Sequence, residues 1–382
     1  MTIIEAEIKD VKHYKATFAP KELPKFQLED ILSGIALKQS SFLLELHSNT
    51  YAISRWTGPK RTRTWPYQHV YDIINRKPRV AIIPYYKDEG KDGNGDYLQW
   101  DTISLMSLLG VYVIFGYYVK ARKNERYPDR NKITGHEFDP VYIAKRLEEL
   151  AYYHSDPIHW NMKEINDYLL EVIEKAIEGH RAIAAATGVR LHSENGLQRR
   201  KNNIANFQTQ SRALALLAQN REALTRQRRE RTGEGLKGRI NITNFYKGAY
   251  YLTVDEAVKL GEDVFLIEKK HGDGFMPSIS DIKDGLLKLI LFTNLASIKI
   301  EGRTYKHHTV LGLTSDRVKG YCHSKQTPTK VLEFLSAIGL PKDTTSLLDL
   351  FTEANANGFA VYLVNADEEI NLREKILREF IS

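Results

Sequence analysis

A short apolar run that passes directly into charged residues is the strongest local pattern in the chain. Residues 264–274 read VFLIEKKHGDG, so four apolar residues are followed at once by Glu268, with Lys270 two positions later. An apolar run of this length predicts a buried β-strand. Because residues i and i+2 of a strand share a face, the Glu268 and Lys270 side chains are expected to point the same way.

The residues before this run predict its partner strand. Residues 255–268 read DEAVKLGEDVFLIE, and Gly261 followed by Glu262 suits a two-residue turn of type II′, which prefers glycine first. Continuing the antiparallel register outward from this turn sets Asp255 directly opposite Glu268. Cross-strand neighbours have Cβ atoms about 5 Å apart. The sequence therefore predicts two neighbouring carboxylates on one hairpin.

Two carboxylates at this separation repel each other unless a cation lies between them. Asp255 and Glu268 are therefore predicted to hold a hard divalent metal. Lys270, on the same face, would orient or deprotonate the attacking water or stabilise the developing phosphorane charge, which suits phosphodiester hydrolysis. The alternative is a structural surface hairpin in which Lys270 forms an ion pair with Asp255.

The periodicity of the rest of the chain predicts a mixed α/β fold. From residue 205 onward the order is helix, three strands, helix, strand, helix, strand, which is an α/β layer order. The uncharged residues 102–119 predict a buried helix that breaks at Gly110 into a buried strand, rather than a membrane span. The domain break is expected near residue 200, which gives an N-terminal α+β domain, 1–200, and a C-terminal domain, 201–382.

The order strand, Asp255, turn, strand, Glu268-x-Lys270 resembles the PD-(D/E)XK nuclease superfamily, which includes many type II restriction endonucleases. Val254 precedes the aspartate where proline stands in the superfamily's motif. The resemblance covers about residues 205–382 and implies a restriction-endonuclease-like core, a mixed sheet flanked by helices. Residues 201–382 would then be the nuclease domain and residues 1–200 the DNA-recognition domain.

The resemblance also implies an activity. It implies a Mg²⁺-dependent, sequence-specific endonuclease for double-stranded DNA, commonly a homodimer, that belongs to a restriction–modification system. Asp255 and Glu268 would bind the Mg²⁺ and Lys270 would be the catalytic lysine, while Glu222 is a possible additional ligand. A repair or recombination nuclease of the same superfamily, and a non-catalytic DNA-binding or scaffold protein with a structural hairpin, remain alternatives.

The positive charge of the chain is concentrated in one segment. Residues 199–239 contain eleven Lys or Arg and three acids, whereas the whole chain has a net charge of +7. Concentrated positive charge is typical of a polyanion-binding surface, because each neutralised phosphate releases counterions. The densest basic run predicts DNA contacts from Arg226, Arg228 and Arg229; a solvated basic helix without a partner is the alternative.

A second basic stretch interleaves cations with aromatic residues. Residues 54–71 read SRWTGPKRTRTWPYQHVY. Arginines in such a loop can hold phosphates or read guanine edges with both guanidinium nitrogens. The predicted DNA-binding residues here are Arg55, Lys60, Arg61 and Arg63. The alternative is a cationic loop that its aromatic residues anchor to the core.

A weaker catalytic candidate lies in the first half. Glu89 and Lys91 repeat the Glu-x-Lys spacing after the apolar run 80–86, with Asp96 and Asp101 nearby. Its glycines predict a mobile loop, and catalytic groups need rigid support.

Several classes of protein and site are disfavoured. Cys322 is the only cysteine, which excludes an intrachain disulfide framework and a multi-cysteine metal site. The sequence contains no phosphate-binding loop and no dinucleotide-binding glycine fingerprint, so no nucleotide cofactor is expected. Without an apolar leader or a membrane span, a cytoplasmic protein is predicted.

Overall fold

The computed structural model describes residues 2–9, 11–12, 14–59, 66–207, 209–211, 236–244, 249–339 and 344–381. The chain divides into two compact units. One, here called the terminal unit, contains Met1–Lys21 and Ala215–Ser382; the other, the inserted unit, contains Glu22–Leu214. The sequence analysis assigned residues 1–200 to a single domain. The structure differs because the first strand of the chain pairs within the sheet of the terminal unit.

In the described residues the strands are β1 (Thr2–Ile8), β2 (Lys25–Phe26), β3 (Ser41–Leu46), β4 (Asn49–Arg55), β5 (Arg79–Pro84), β6 (Tyr86–Asp88), β7 (Gly95–Tyr97), β8 (Val111–Gly116), β9 (Tyr118–Lys123), β10 (Ile133–Phe138), β11 (Leu236–Asn244), β12 (Ala249–Leu260), β13 (Asp263–Gly272), β14 (Leu295–Ile300), β15 (Arg303–Ser315), β16 (Tyr321–His323) and β17 (Ala360–Asn365).

The α-helices are α1 (Leu28–Leu32), α2 (Pro66–Tyr71), α3 (Trp100–Leu108), α4 (Pro140–Ala151), α5 (Pro157–Lys163), α6 (Leu169–Thr187), α7 (Asn195–Lys201), α8 (Ile279–Phe292), α9 (Pro328–Ala337), α10 (Thr344–Asn357) and α11 (Glu369–Glu379). A π-helical stretch, Glu164–Tyr168, joins α5 to α6.

The terminal unit is built on one mixed sheet with the strand order β13-β12-β11-β1-β14-β15-β17-β16. Strand β13 also pairs with β15 in parallel, from Asp263 opposite Lys306 to Gly272 opposite Ser315. Strands β11, β12 and β13 form an antiparallel meander, and α8 lies in the connection that leads on to the parallel strand β15. The unit is therefore mixed α/β, as expected.

Helices cover both faces of strand β13. On one face, Phe265 and Ile267 pack in a core cluster with Ile376 and Leu377 of α11. On the other face, Gly285 of α8 lies against the side chains of β13 and β15. A strand that is buried on both faces needs a near-continuous apolar sequence, which accounts for the run at residues 264–267.

The inserted unit contains a second mixed sheet with the order β2-β3-β4-β5-β8, in which β4, β5 and β8 run parallel. Helix α3 ends before Gly110, which has a φ of 65°, and buried strand β8 follows, as the sequence predicted. The β6–β7 and β9–β10 hairpins complete the unit. Among the residues that the structure describes, no helix combines the length and the apolarity needed to cross a membrane.

Candidate active site

The β12–β13 hairpin has the predicted register. The ladder starts with Leu260 opposite Asp263 and continues one residue at a time away from the turn. Gly261 has a φ of 64°, which is the sign that a type II′ turn requires at its first central position. The last pair of the ladder is Glu256 opposite Ile267, so continuing the same register by one residue places Asp255 opposite Glu268.

The hairpin brings the three predicted catalytic side chains together. Lys270 Nζ lies 3.0 Å from Glu268 Oε1. The backbone N–H of Lys269 donates to Asp255 Oδ2 at 2.8 Å, so Asp255 is fixed against strand β13. The Asp255 and Glu268 carboxylates are close enough for the charge of one to raise the pKa of the other. The predicted proximity is confirmed, and the catalytic roles remain predictions.

Helix α8 adds two charged residues that the sequence analysis did not assign to the site. Lys288 Nζ donates to Glu268 Oε1 at 2.7 Å, and Lys270 Nζ donates to Asp284 Oδ2 at 3.1 Å. Asp284 and Lys288 are four residues apart, so they occupy the same face of the helix. The helix thereby presents one anion and one cation to the hairpin.

A glycine lets the helix approach the strands this closely. A Cβ at Gly285 would lie 3.1 Å from Leu311 Cδ1, 3.1 Å from Lys270 Cε and 3.5 Å from Glu268 Cγ. The start of α8 is fixed by Ser278, whose hydroxyl oxygen accepts from the backbone N–H of Asp281. The sequence signal for these two residues is Asp284 directly before Gly285, with Lys288 one helical turn further along the same face.

The pKa values of the two central acids, Asp255 and Glu268, are shifted in opposite directions. Burial and the negative charge of Glu268 raise the pKa of Asp255 to about 7. Burial acts to raise the pKa of Glu268 as well, but Lys288 and Lys270 outweigh it and hold that pKa below its ordinary value. Glu268 is only 1% exposed and is therefore an ionised carboxylate inside the protein.

Both lysines are ammonium ions. Burial acts to lower the pKa of Lys270, but Glu268 and the neighbouring acids outweigh it, so the pKa is raised. The same balance raises the pKa of Lys288, which faces Glu268, Asp255 and Asp284. A buried ammonium with carboxylate neighbours stays protonated at neutral pH.

One oxygen of this cluster lacks a partner. Among the described residues, Glu268 Oε2 is buried and makes no hydrogen bond, because both lysines contact Oε1. A buried, unpartnered carboxylate oxygen is costly unless a cation contacts it. Asp255 and Glu268 therefore fit Mg²⁺, which takes one or two protein carboxylates and fills its other positions with water or phosphate oxygens.

The other face of the hairpin carries a separate charged network. Lys269 Nζ lies 2.7 Å from Glu256 and 2.8 Å from Glu369, and Arg373 lies 2.5 Å from Glu256. Glu369 and Arg373 belong to α11, so this network attaches that helix to the sheet. The alternation of strand side chains keeps these groups away from the candidate site.

Most of the predicted DNA-binding residues lie outside the described residues: Lys60, Arg61, Arg63, Arg226, Arg228 and Arg229. The possible extra ligand Glu222 lies outside them as well. Arg55 is described. It ends strand β4, and its Nε donates to the carbonyl oxygen of Gln39 at 2.9 Å.

The weaker candidate around Glu89 lies in the β6–β7 hairpin, where residues 89–94 connect the two strands. Glu89 Oε1 accepts from Lys87 Nζ at 2.8 Å, and Glu89 Oε2 accepts from Asn94 at 3.2 Å. The Lys91 backbone N–H donates to the carbonyl oxygen of Arg190 at 2.8 Å, which fixes the turn.

A further group of metal-ligand type lies at the ends of β13 and β15. His271, Asp273 and Asp316 each offer one ligand atom, and these atoms lie within 4.8 Å of one another. In the described parts of the chain it is the only trio of this kind. His271 Nδ1 is within hydrogen-bond distance, 3.1 Å, of the Thr314 hydroxyl. The two aspartate side chains are exposed.

No protein family model, no curated protein and no solved structure matches the chain.

Proposed function

We propose that this chain is a Mg²⁺-dependent endonuclease for double-stranded DNA, a type II restriction enzyme of the PD-(D/E)XK superfamily. One observation supports this most directly: the buried Glu268 Oε2, which makes no hydrogen bond among the described residues, lies on the face that also carries Asp255 and Lys270. A pair of carboxylates arranged in this way would bind a divalent cation.

The lysine acts as a hydrogen-bond donor. The neighbouring acids raise the pKa of Lys270 in the absence of metal, which favours a protonated hydrogen-bond donor over a general base. Its ammonium is shared between Glu268 and Asp284, and it donates to the attacking water or to the developing charge on the phosphate. Mg²⁺, held by Asp255 and Glu268, would supply charge stabilisation to the phosphate and lower the pKa of water.

Lys288 compensates the charge of Glu268 and is not proposed to contact the substrate. Its Nζ neutralises the Glu268 charge from the helix side of the strand, at 2.7 Å from Oε1. It keeps Glu268 ionised before metal arrives, since an uncompensated buried carboxylate would take up a proton instead. Lys288 is therefore a positioning residue, and Lys270 is the candidate catalytic lysine.

DNA would be held by basic residues outside the hairpin. The segment 199–239 and the stretch 54–71 carry a strong excess of cations, which suits backbone phosphates. A homodimer would provide one hairpin for each strand of a duplex, and the biological role would be restriction of foreign DNA.

A specific observation favours a second candidate, a non-catalytic DNA-binding protein. Lys270 and Lys288 already compensate the charge of Glu268 without any metal. A hairpin that is stable in this state can serve a purely structural purpose.

A digest separates the two candidates. The full chain is incubated with plasmid and phage DNA in Mg²⁺ and, in parallel, in EDTA. Discrete fragments with Mg²⁺ alone support the restriction enzyme, whereas a smear points to a non-specific repair or recombination nuclease. DNA binding without Mg²⁺-dependent cleavage would overturn the nuclease proposal in favour of the binding protein.

A further inference from the structure

A polar cavity of about 430 Å³ lies within the inserted unit. Pockets of roughly 300–1,000 Å³ are typical of small-molecule sites. The cavity is formed by the end of β4, the β6 region and the β9–β10 hairpin. Side chains that line it include Arg55, Thr57, Lys87, Tyr118, Lys132 and His136.

The cations of this cavity exceed its anions. Lys87 is paired with Glu89 at 2.8 Å. Within the described ranges, Arg55 and Lys132 form no ion pair with a carboxylate. The cavity therefore carries uncompensated positive charge.

Arg55 is the cation of this cavity that most favours an anionic ligand. Its Nε donates to the carbonyl oxygen of Gln39 at 2.9 Å, which fixes the guanidinium. Burial lowers the pKa of Arg55, and no carboxylate among the described residues opposes that effect. Charges removed from water are normally paired. Arg55 Nη2 also donates to the carbonyl oxygen of Lys38 at 3.4 Å, so both of its described acceptors are neutral backbone carbonyls, and an anionic ligand would supply the opposite charge.

Two aromatic, uncharged side chains also line the cavity. The Tyr118 and His136 rings lie 4.9 Å apart at an angle of 54°, and the Tyr118 hydroxyl donates to the carbonyl oxygen of Thr57 at 3.0 Å. Burial lowers the pKa of His136 to about 4, so its imidazole is neutral at pH 7. The β9–β10 register shifts between Thr134 and Glu137, an irregularity of the kind that redirects side chains at binding sites.

We propose that this cavity binds a nucleotide, with its phosphate on Arg55 and Lys132 and its base against the rings of Tyr118 and His136. An anion and a planar ring within one ligand match the cationic and the aromatic side chains that line the cavity. The shared chemistry is a nucleotide phosphate, supplied either by a free nucleotide or by a nucleotide of a DNA strand. The proposal does not depend on cleavage at Glu268.

The test is isothermal titration calorimetry of the full chain in EDTA, with 2′-deoxyadenosine 5′-monophosphate and inorganic phosphate as separate ligands. The nucleotide is expected to bind saturably and more tightly than phosphate. Arg55→Ala and Lys132→Ala should each weaken nucleotide binding by about tenfold or more, as the loss of a charge-assisted contact requires. Lys123→Ala is the matched control, because Lys123 is an exposed cation of the same hairpin, and it should bind as the wild type does.

Competition then identifies the source of the ligand. A single-stranded oligonucleotide that displaces the mononucleotide indicates a nucleotide within a strand, whereas the absence of displacement indicates a free nucleotide. No saturable binding of the mononucleotide at millimolar concentration would overturn the proposal. Binding that Lys132→Ala leaves unchanged would overturn it as well, even if Arg55→Ala fails to fold. Because EDTA prevents metal-dependent cleavage, these results stand whether or not the chain is a nuclease.

Discussion

Asp255 is a half-buried acid that takes up a proton on folding between about pH 4 and pH 7 in the absence of metal. Its folded pKa is about 7, whereas an unfolded aspartate has a pKa near about 3.9. The folded state therefore binds this proton more tightly, so the Asp255 contribution to stability decreases as pH rises from about 4 to about 7 and is constant above that. Each pKa unit corresponds to about 1.4 kcal/mol.

Asp255→Asn should remove this decrease. In EDTA the variant should nearly match the wild type in free energy of unfolding near pH 4, where Asp255 is neutral in the folded state and only about half ionised in the unfolded state, and exceed it by a few kcal/mol at pH 8. Urea unfolding at the two pH values measures the difference. An equal difference at both pH values would contradict the raised pKa. In Mg²⁺ the advantage at pH 8 should shrink, because only the wild type supplies the anionic ligand.

Lys288→Met tests the role of the second lysine. Methionine keeps most of the apolar stem but leaves Glu268 with one ammonium in place of two. Removing one partner of a buried ion pair costs about 3–5 kcal/mol. Mg²⁺ should recover more stability in this variant than in the wild type, because the ion replaces a missing cation. Thermal unfolding with and without Mg²⁺ provides the measurement, and an equal Mg²⁺ effect in the two proteins would contradict the assignment.

Gly285 allows helix α8 to pack closely against the Lys270 and Glu268 side chains of the hairpin. In Gly285→Ala the new methyl would lie 3.1 Å from Lys270 Cε, which is part of a flexible side chain, and 3.1 Å from Leu311 Cδ1. Alanine favours a helix by up to about 1 kcal/mol over glycine. We therefore expect stability within about 1 kcal/mol of wild type and a clear loss of cleavage, because the Lys270 ammonium moves. Retained cleavage together with a large loss of stability would show that Gly285 serves packing alone.

The hairpin was predictable because its determinants are local. The apolar run 264–267, Gly261 in the turn and the two-residue spacing of strand side chains together fix the register that places Asp255 beside Glu268. Asp284 and Lys288 were not predicted, because the helix can be positioned only once its packing against the strands is known. Helix α10 was missed although Leu347, Leu350, Phe351 and Ala354 repeat at helical spacing and are buried.

At the scale of the whole molecule, the first strand was the least predictable feature. Strand β1 alternates apolar and charged residues, as a strand should, but its partners β11 and β14 lie more than two hundred residues away in the chain. No local pattern specifies such a pairing. The expected boundary near residue 200 therefore left out Met1–Lys21, which belong to the terminal unit.

A truncation tests this organisation. Residues 22–214 expressed alone should fold and unfold cooperatively, because they form their own compact unit. Removing residues 1–21 from the full chain should leave β11 and β14 without their shared neighbour and abolish the stable terminal unit. Thermal unfolding followed by circular dichroism distinguishes the cases. A fully stable chain that lacks residues 1–21 would contradict the assigned pairing.

The most direct test of the nuclease account is DNA cleavage by Glu268→Gln beside a matched control. Glutamine keeps the shape of the side chain and removes the anionic ligand and the partner charge for both lysines. Glu262→Gln makes the same change in the turn of the same hairpin, where the side chain is 73% exposed. With Mg²⁺, we predict cleavage by the wild type and by Glu262→Gln, and a loss of at least about 100-fold in Glu268→Gln with DNA binding retained. Cleavage by Glu268→Gln at close to the wild-type rate would contradict the account.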